Sequence, residues 1–209
     1  MTSPPLPPPA PPEVWLRGPV EGVDPLLMPA AHALLQARED VERAALGLSL
    51  RELWSTPGGA APVGFHLRHV AGSIDRLLTY ARGAPLDDRQ RAALAAEQAP
   101  GDPPADAPAL VRAATAAIDG ALDALRRTDA ATLHVPRTVG RAALPTTVFG
   151  LLFHIAEHTQ RHVGQVITTG KIVRAGIGDW GLGTGRLRSG ESLQDVEIPQ
   201  SPVPSPQSR

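Results

Sequence analysis

Apolar residues recur at helical spacing in four stretches of this chain. The first opens at Asp24, an N-cap residue type followed by Pro25 at the first helical position, and Leu27, Ala31, Leu34, Val41, Ala45 and Leu48 mark one apolar face to about residue 50. Trp54 to Ala61, containing Pro57-Gly58-Gly59, reads as a loop. A second helix is predicted from about Pro62 to Arg82, with Val63, His66, Val70, Ile74 and Leu77 on one stripe and Phe65, His69, Gly72, Arg76 and Tyr80 on another. Gly83 and Pro85 then supply its stop. A short helix over residues 86–98 is expected through Leu86, Ala93 and Leu94, ahead of the breaking run Pro100 to Pro104. The third long helix begins near Asp106 and Pro108, buries Leu110, Ala114, Ala117, Ile118, Ala121 and Leu125, and ends before Thr128. After a loop from Thr128 to Pro145, the fourth starts at Thr146 or Thr147, packs through Val148, Leu152, Ile155, Val163 and Val166, and stops at Gly170. Four helices of roughly 20 residues suffice for an all-α bundle.

Composition supports that class. The chain is 42% apolar but only 3% aromatic, so its core is built mainly from Leu, Val, Ile and Ala, a mix that suits packed helices better than sheets. Prolines crowd both ends, which divides the 209 residues into a Pro-rich tail (1–12), the bundle (13–175) and a Gly/Pro-rich extension (176–209). A formal charge of -1 gives no basic field for nucleic acid. No stretch approaches the roughly 20 apolar residues of a membrane span, and the start Met-Thr-Ser-Pro-Pro lacks a signal core, so a soluble, cytoplasmic protein is expected. Cysteine is absent, which removes disulfides, thiolate ligands and a cysteine nucleophile together.

Seven histidines are the most informative polar residues. His154, His158 and His162 are spaced by four on the fourth helix. Each step rotates about 40° and rises roughly 6 Å, so neighbouring members project from nearly one face. Any adjacent pair can share a cation about 2.0 to 2.1 Å from each nitrogen, with a third ligand from another helix, for which His69 is the natural candidate. Three imidazoles without a fourth protein ligand leave positions open for water or substrate. Such a donor set suits Zn, Ni, Cu or Fe, or Mn where a carboxylate or more water joins, and spacing alone does not choose among them.

Other motifs carry less. His154-Ile155-Ala156-Glu157-His158 fits the H-x-x-E-H pattern of inverzincin proteases over only five residues, and the H-E-x-x-H pattern fails because Thr159 follows His158. Glu157 is expected to be solvated or paired with arginine, since neighbouring helical residues point about 100° apart. Arg68 and Arg76 flank His69, Gln165 follows His162 by three, and Tyr80 shares the face of His69 and is a candidate to line its cavity. Gly176 to Gly181 matches G-x-G-x-x-G but opens no helix, which makes it a loop, with Trp180 free to fold back onto the bundle.

Phe65-His66-Leu67-Arg68-His69-Val70-Ala71-Gly72-Ser73, together with Glu157-His158-Thr159-Gln160-Arg161-His162-Val163-Gly164-Gln165, resembles the DinB/YfiT-like family over about residues 24–170. The family's run often reads His-His-Arg-Gly-Gln, whereas here Arg161 precedes His162 and Val163 follows it. The resemblance implies a four-helix bundle in up-down-down-up order, with His69, His158 and His162 as metal ligands and His66 and His154 outside the triad. It implies a divalent metal ion (Zn, Ni, Mn or Fe), a small-molecule substrate and a homodimer. It also implies metal-dependent transfer of a low-molecular-weight thiol of the bacillithiol or mycothiol type, or a related hydrolysis, and assigns no catalytic side chain. A chain without cysteine fits a thiol that arrives as cosubstrate. The alternative is a non-catalytic bundle with a vestigial site, acting in protein association.

Overall fold

The computed structural model describes residues 11–176. Most of the expected tail (1–12) and of the extension (176–209), including Trp180, therefore lies outside the described residues. The described chain is mostly helical: α1 Met28–Ala45, α2 Leu50–Trp54, α3 Val63–Ala81, α4 Asp88–Ala95, α5 Ala107–Arg127 and α6 Val148–Arg174. Two short antiparallel strands, β1 Pro136–Val139 and β2 Leu144–Thr147, lie between α5 and α6. None of these helices is long and apolar enough to cross a membrane.

Local chemistry sets the boundaries. Asp24 does cap, accepting from Leu26 N, but what it starts is a single 3-10 turn, and α1 proper begins at Met28. The first segment also breaks earlier than its apolar face suggests. Gly47 adopts φ 83°, a conformation that favours glycine, and Ser49 with Glu52 forms a reciprocal capping box that starts α2 afresh, so Trp54 closes a helix rather than opening a loop. α4 also starts with a capping box, between Asp87 and Gln90, and Gln90 donates to Thr79 Oγ1 at 2.8 Å, which ties α4 to α3.

Two expectations about the C-terminal half are corrected. The stretch 128–145 is not all loop, because Pro136 pairs with Thr147 and Val139 with Leu144 in a hairpin. Val148 N and Phe149 N then donate to the carbonyls of Val135 and Leu133 at 3.1 and 2.9 Å, while Thr147 Oγ1 accepts from Gly150 N at 3.0 Å, so the start of α6 is satisfied by the segment just before β1 and its own cap. At its other end α6 runs through Gly170 to Arg174. Gly170 is helical, and a Cβ there would lie 3.4 Å from Ala44 O; it permits close packing against α1 and does not terminate the helix.

The four long helices close a ring in which α1 and α3 each pack against both α5 and α6. Its centre is aliphatic: Leu34 and Val41 from α1, Leu67, Val70 and Ile74 from α3, Ile118 and Leu125 from α5, and Ile155, Val163 and Val166 from α6 are all buried. Each fully buried Leu, Ile or Val side chain contributes about 1.5–3 kcal/mol. Polar ties cross the ring as well. Gln160 Nε2 donates to Ala33 O at 2.6 Å, Arg174 Nη2 to Leu46 O at 2.7 Å, and Arg38 Nε to Asp119 at 2.8 Å.

One aromatic fixes the connection before α5. Trp54 donates from Nε1 to Ala105 O at 3.0 Å and packs on Gly64, where a Cβ would meet the indole at 2.8 Å; the Arg68 guanidinium lies 5.1 Å from the ring centre. Arg68 also donates to the carbonyls of Ala99 and, at 3.0 Å, of Pro100. The stretch from Ala96 to Ala105 is thereby held against the face of α3 that carries His69.

Candidate metal centre

α3 and α6 lie side by side in the ring, and their facing histidines meet. One nitrogen from each of His69, His158 and His162 lies within 4.8 Å of the other two. His69 Nε2 is 2.9 Å from His158 Nε2, and the His162 ring centre is 4.4 Å from that of His69 and 4.6 Å from that of His158. The three candidates named from helical spacing and resemblance are thus brought together.

His66, one turn before His69 on α3, is buried and sits against the cluster, its Nδ1 3.0 Å from His162 Nδ1. Phe65 stacks on the His69 ring at 5.5 Å between centroids and covers one side. His158 Nδ1 and Thr159 Oγ1 are buried with no hydrogen-bond partner among the described residues, so packing and the Nε2 side alone orient the His158 ring.

Burial pushes His158 and His162 down to about 4, and the neighbouring His69 adds to the effect on both. His66 is lowered as well, by burial first and then by His69. At neutral pH these rings are uncharged, the state in which an imidazole nitrogen binds a cation. The donor chemistry suits a borderline divalent metal: three imidazole nitrogens gathered within 4.8 Å of one another.

The other residues named from the sequence fall elsewhere. His154 is exposed and pairs with Glu157 at 3.2 Å, while Glu157 also pairs with Arg161, in keeping with the expectation that this carboxylate is taken up by arginine. The H-x-x-E-H pattern therefore places no glutamate at the cluster. Gln165 is exposed. Tyr80, a candidate to line the His69 cavity whose default reading is a core tyrosine, is half-buried near the end of α3 and lines a separate groove of about 830 Å³ with Arg91 and Arg137.

Reading the sequence missed Glu97. It follows α4, is buried, and accepts from His69 Nδ1 through Oε2 at 2.6 Å and from Arg76 Nη1 through Oε1 at 2.5 Å. Burial alone would raise its carboxyl, but the hydrogen bonds from His69 and Arg76 outweigh that and hold it below its ordinary value. Gly72 makes the space: a Cβ there would lie 2.5 Å from Glu97 Oε1 and 2.7 Å from Arg76 Nη1. The signal was the stripe His69, Gly72, Arg76, a buried cation beside a missing side chain, which calls for a carboxylate from elsewhere in the chain.

Residues 33–166 match the family model of the DinB superfamily, and the chain belongs to that superfamily. No functionally curated protein matches it.

Proposed function

We propose that this DinB superfamily member is a divalent-metal-binding protein whose ligands are His69, His158 and His162. The observation that carries the reading is the convergence of three imidazoles from two helices within 4.8 Å of one another. The ring of long helices is then the superfamily's four-helix bundle in up-down-down-up order. Supporting that order, Ala33 meets Gln160 and Leu46 meets Arg174, so α1 and α6 run the same way. His66 meets His162 while His69 meets His158, so α3 runs against them. Gly22, just before α1, lies against Arg126 near the end of α5, so α5 also opposes α1.

As an activity we propose metal-dependent transfer of a low-molecular-weight thiol, of the bacillithiol or mycothiol type, or a related hydrolysis, in a cytoplasmic setting. His69, His158 and His162 would hold the ion, and the chemistry it would supply there is Lewis acidity toward a thiol. Burial holds His158 and His162 in their uncharged form, and Phe65 stacks on one side of His69. Exposed Phe149 and Phe153, one turn apart on α6, support a homodimer, which mass in solution tests.

A non-catalytic bundle acting in association is the second reading. It is favoured by one observation, the exposed aromatic pair Phe149 and Phe153 on α6. The deciding experiment measures metal content in protein purified without added metal or a histidine tag, comparing the unmodified chain with His162→Ala. Near one equivalent in the first and little in the second supports the site and leads to a screen of thiol and electrophile pairs. No metal even after reconstitution ends the enzyme reading.

A further inference from the structure

We propose that Glu97, clamped by Arg76, is the positioning residue of the histidine cluster: by accepting the Nδ1 proton of His69 it leaves His69 Nε2 as a bare lone pair directed at His158. The proposal rests on the reading of the cluster as a metal centre and adds to it a residue that no helical spacing connects to the histidines.

A neutral imidazole carries one N–H, and which nitrogen bears it is decided by what each nitrogen meets. At the Nδ1 side of His69 stands an ionised carboxylate at 2.6 Å, which can only accept. The proton therefore resides on Nδ1. Nε2, 2.9 Å from His158 Nε2, is then free to accept a proton or a cation, whereas a proton on Nε2 would block the side of the ring that faces the other two histidines.

Several features make the carboxylate a fixed part of the structure. Its second oxygen is held by Arg76, itself buried, at 2.5 Å; Gly72 vacates the volume both groups occupy; and Glu97 is only 4% exposed, so water does not compete for the His69 proton. The backbone on either side is tied down too, through Gln90 to Thr79 ahead of it and through Arg68 to the carbonyls of Ala99 and Pro100 behind it. Carboxylates in this relation to a ligand histidine fix its tautomer and orientation, and losing one lowers metal affinity by roughly 10–100-fold.

The test uses the full chain, unmodified and as Glu97→Gln and Glu97→Ala, with His162→Ala as a control for the metal reading. Long-range proton–nitrogen NMR of the metal-free protein assigns the His69 tautomer, and competition against a chelator gives the zinc dissociation constant. Expected are an Nδ1–H His69 in the unmodified chain, loss of that single tautomer in Glu97→Ala, and zinc binding weakened by roughly 10–100-fold in both variants. A His69 protonated on Nε2 in the unmodified chain overturns the proposal, and so do folded variants that bind zinc as tightly as the parent. If the unmodified chain takes up no zinc, the metal reading falls while the tautomer still decides the role of Glu97. If the variants do not fold, the tautomer in the unmodified chain decides it.

Discussion

His66 and His162 face each other Nδ1 to Nδ1 at 3.0 Å, so one of the two rings carries a proton there and the other accepts it. Both belong to buried or half-buried stretches, and neither nitrogen is easily satisfied by water if its partner is removed. His66→Leu keeps the apolar stripe of α3 but strands His162 Nδ1, at a cost of about 1–3 kcal/mol. Urea unfolding of the metal-free variant checks this, and unchanged stability would show that the contact contributes nothing.

Glycines inside the long helices divide into two kinds. A Cβ at Gly64 would meet the Trp54 indole at 2.8 Å, and that ring is held by Ala105 O and Arg68, so Gly64→Ala should destabilise by about 1–3 kcal/mol. At Gly120 and Gly164 a Cβ meets nothing within 4 Å, and Ala at either position should stabilise by about 1 kcal/mol through helix propensity. Thermal melts of the three variants should move in these opposite directions.

Acid should weaken the metal-free protein through its histidines. His158 and His162 are lowered from 6.5 to about 4, so between those values the unfolded chain binds more protons than the folded one, and stability falls as pH drops from 6.5 toward 4. Below about 4 both states are protonated and this contribution levels off. Melting temperature against pH for the unmodified chain and for His158→Gln with His162→Gln checks it; equal slopes over that window would remove the histidines as the cause.

Metal should stabilise the fold by mass action. With free zinc at about 100 times the dissociation constant, the gain is about 2.7 kcal/mol, and it should disappear in His158→Ala and on chelation. Calorimetric melts with and without chelator show whether the increment depends on His158.

α5 and α6 were readable because their apolar periodicity and their caps agree. Thr147 and Asp106 each accept from a backbone N–H of the first turn, and Gly83, at φ 77°, follows the end of α3. Gly170 was misread for a physical reason: the sequence does not distinguish a glycine that adopts left-handed backbone from one that lets Ala44 O approach. The hairpin escaped because its strands are four residues each, and the carbonyls that accept from the start of α6 come from Leu133 and Val135 ahead of β1. Turn spacing on α6 left the pairs His154–His158 and His158–His162 both open, and the resemblance to the DinB/YfiT-like family singled out His158 and His162 with His69, the three that meet. Glu97 was not legible, since its place depends on how α4 and the stretch after it dock on α3.

The His69 to His158 contact spans 89 positions of chain. α6 carries two of the three imidazoles wherever it forms, but the third arrives only when α3 has docked beside it, after the whole α4, α5 and hairpin excursion has been accommodated. Loop closure over that distance is slow relative to helix growth. On the proposed metal reading, capture by all three nitrogens marks completed long-range assembly: in a refolding experiment it should follow the recovery of helical signal, and a chain released from synthesis before α6 emerges presents His69 with neither of its α6 partners.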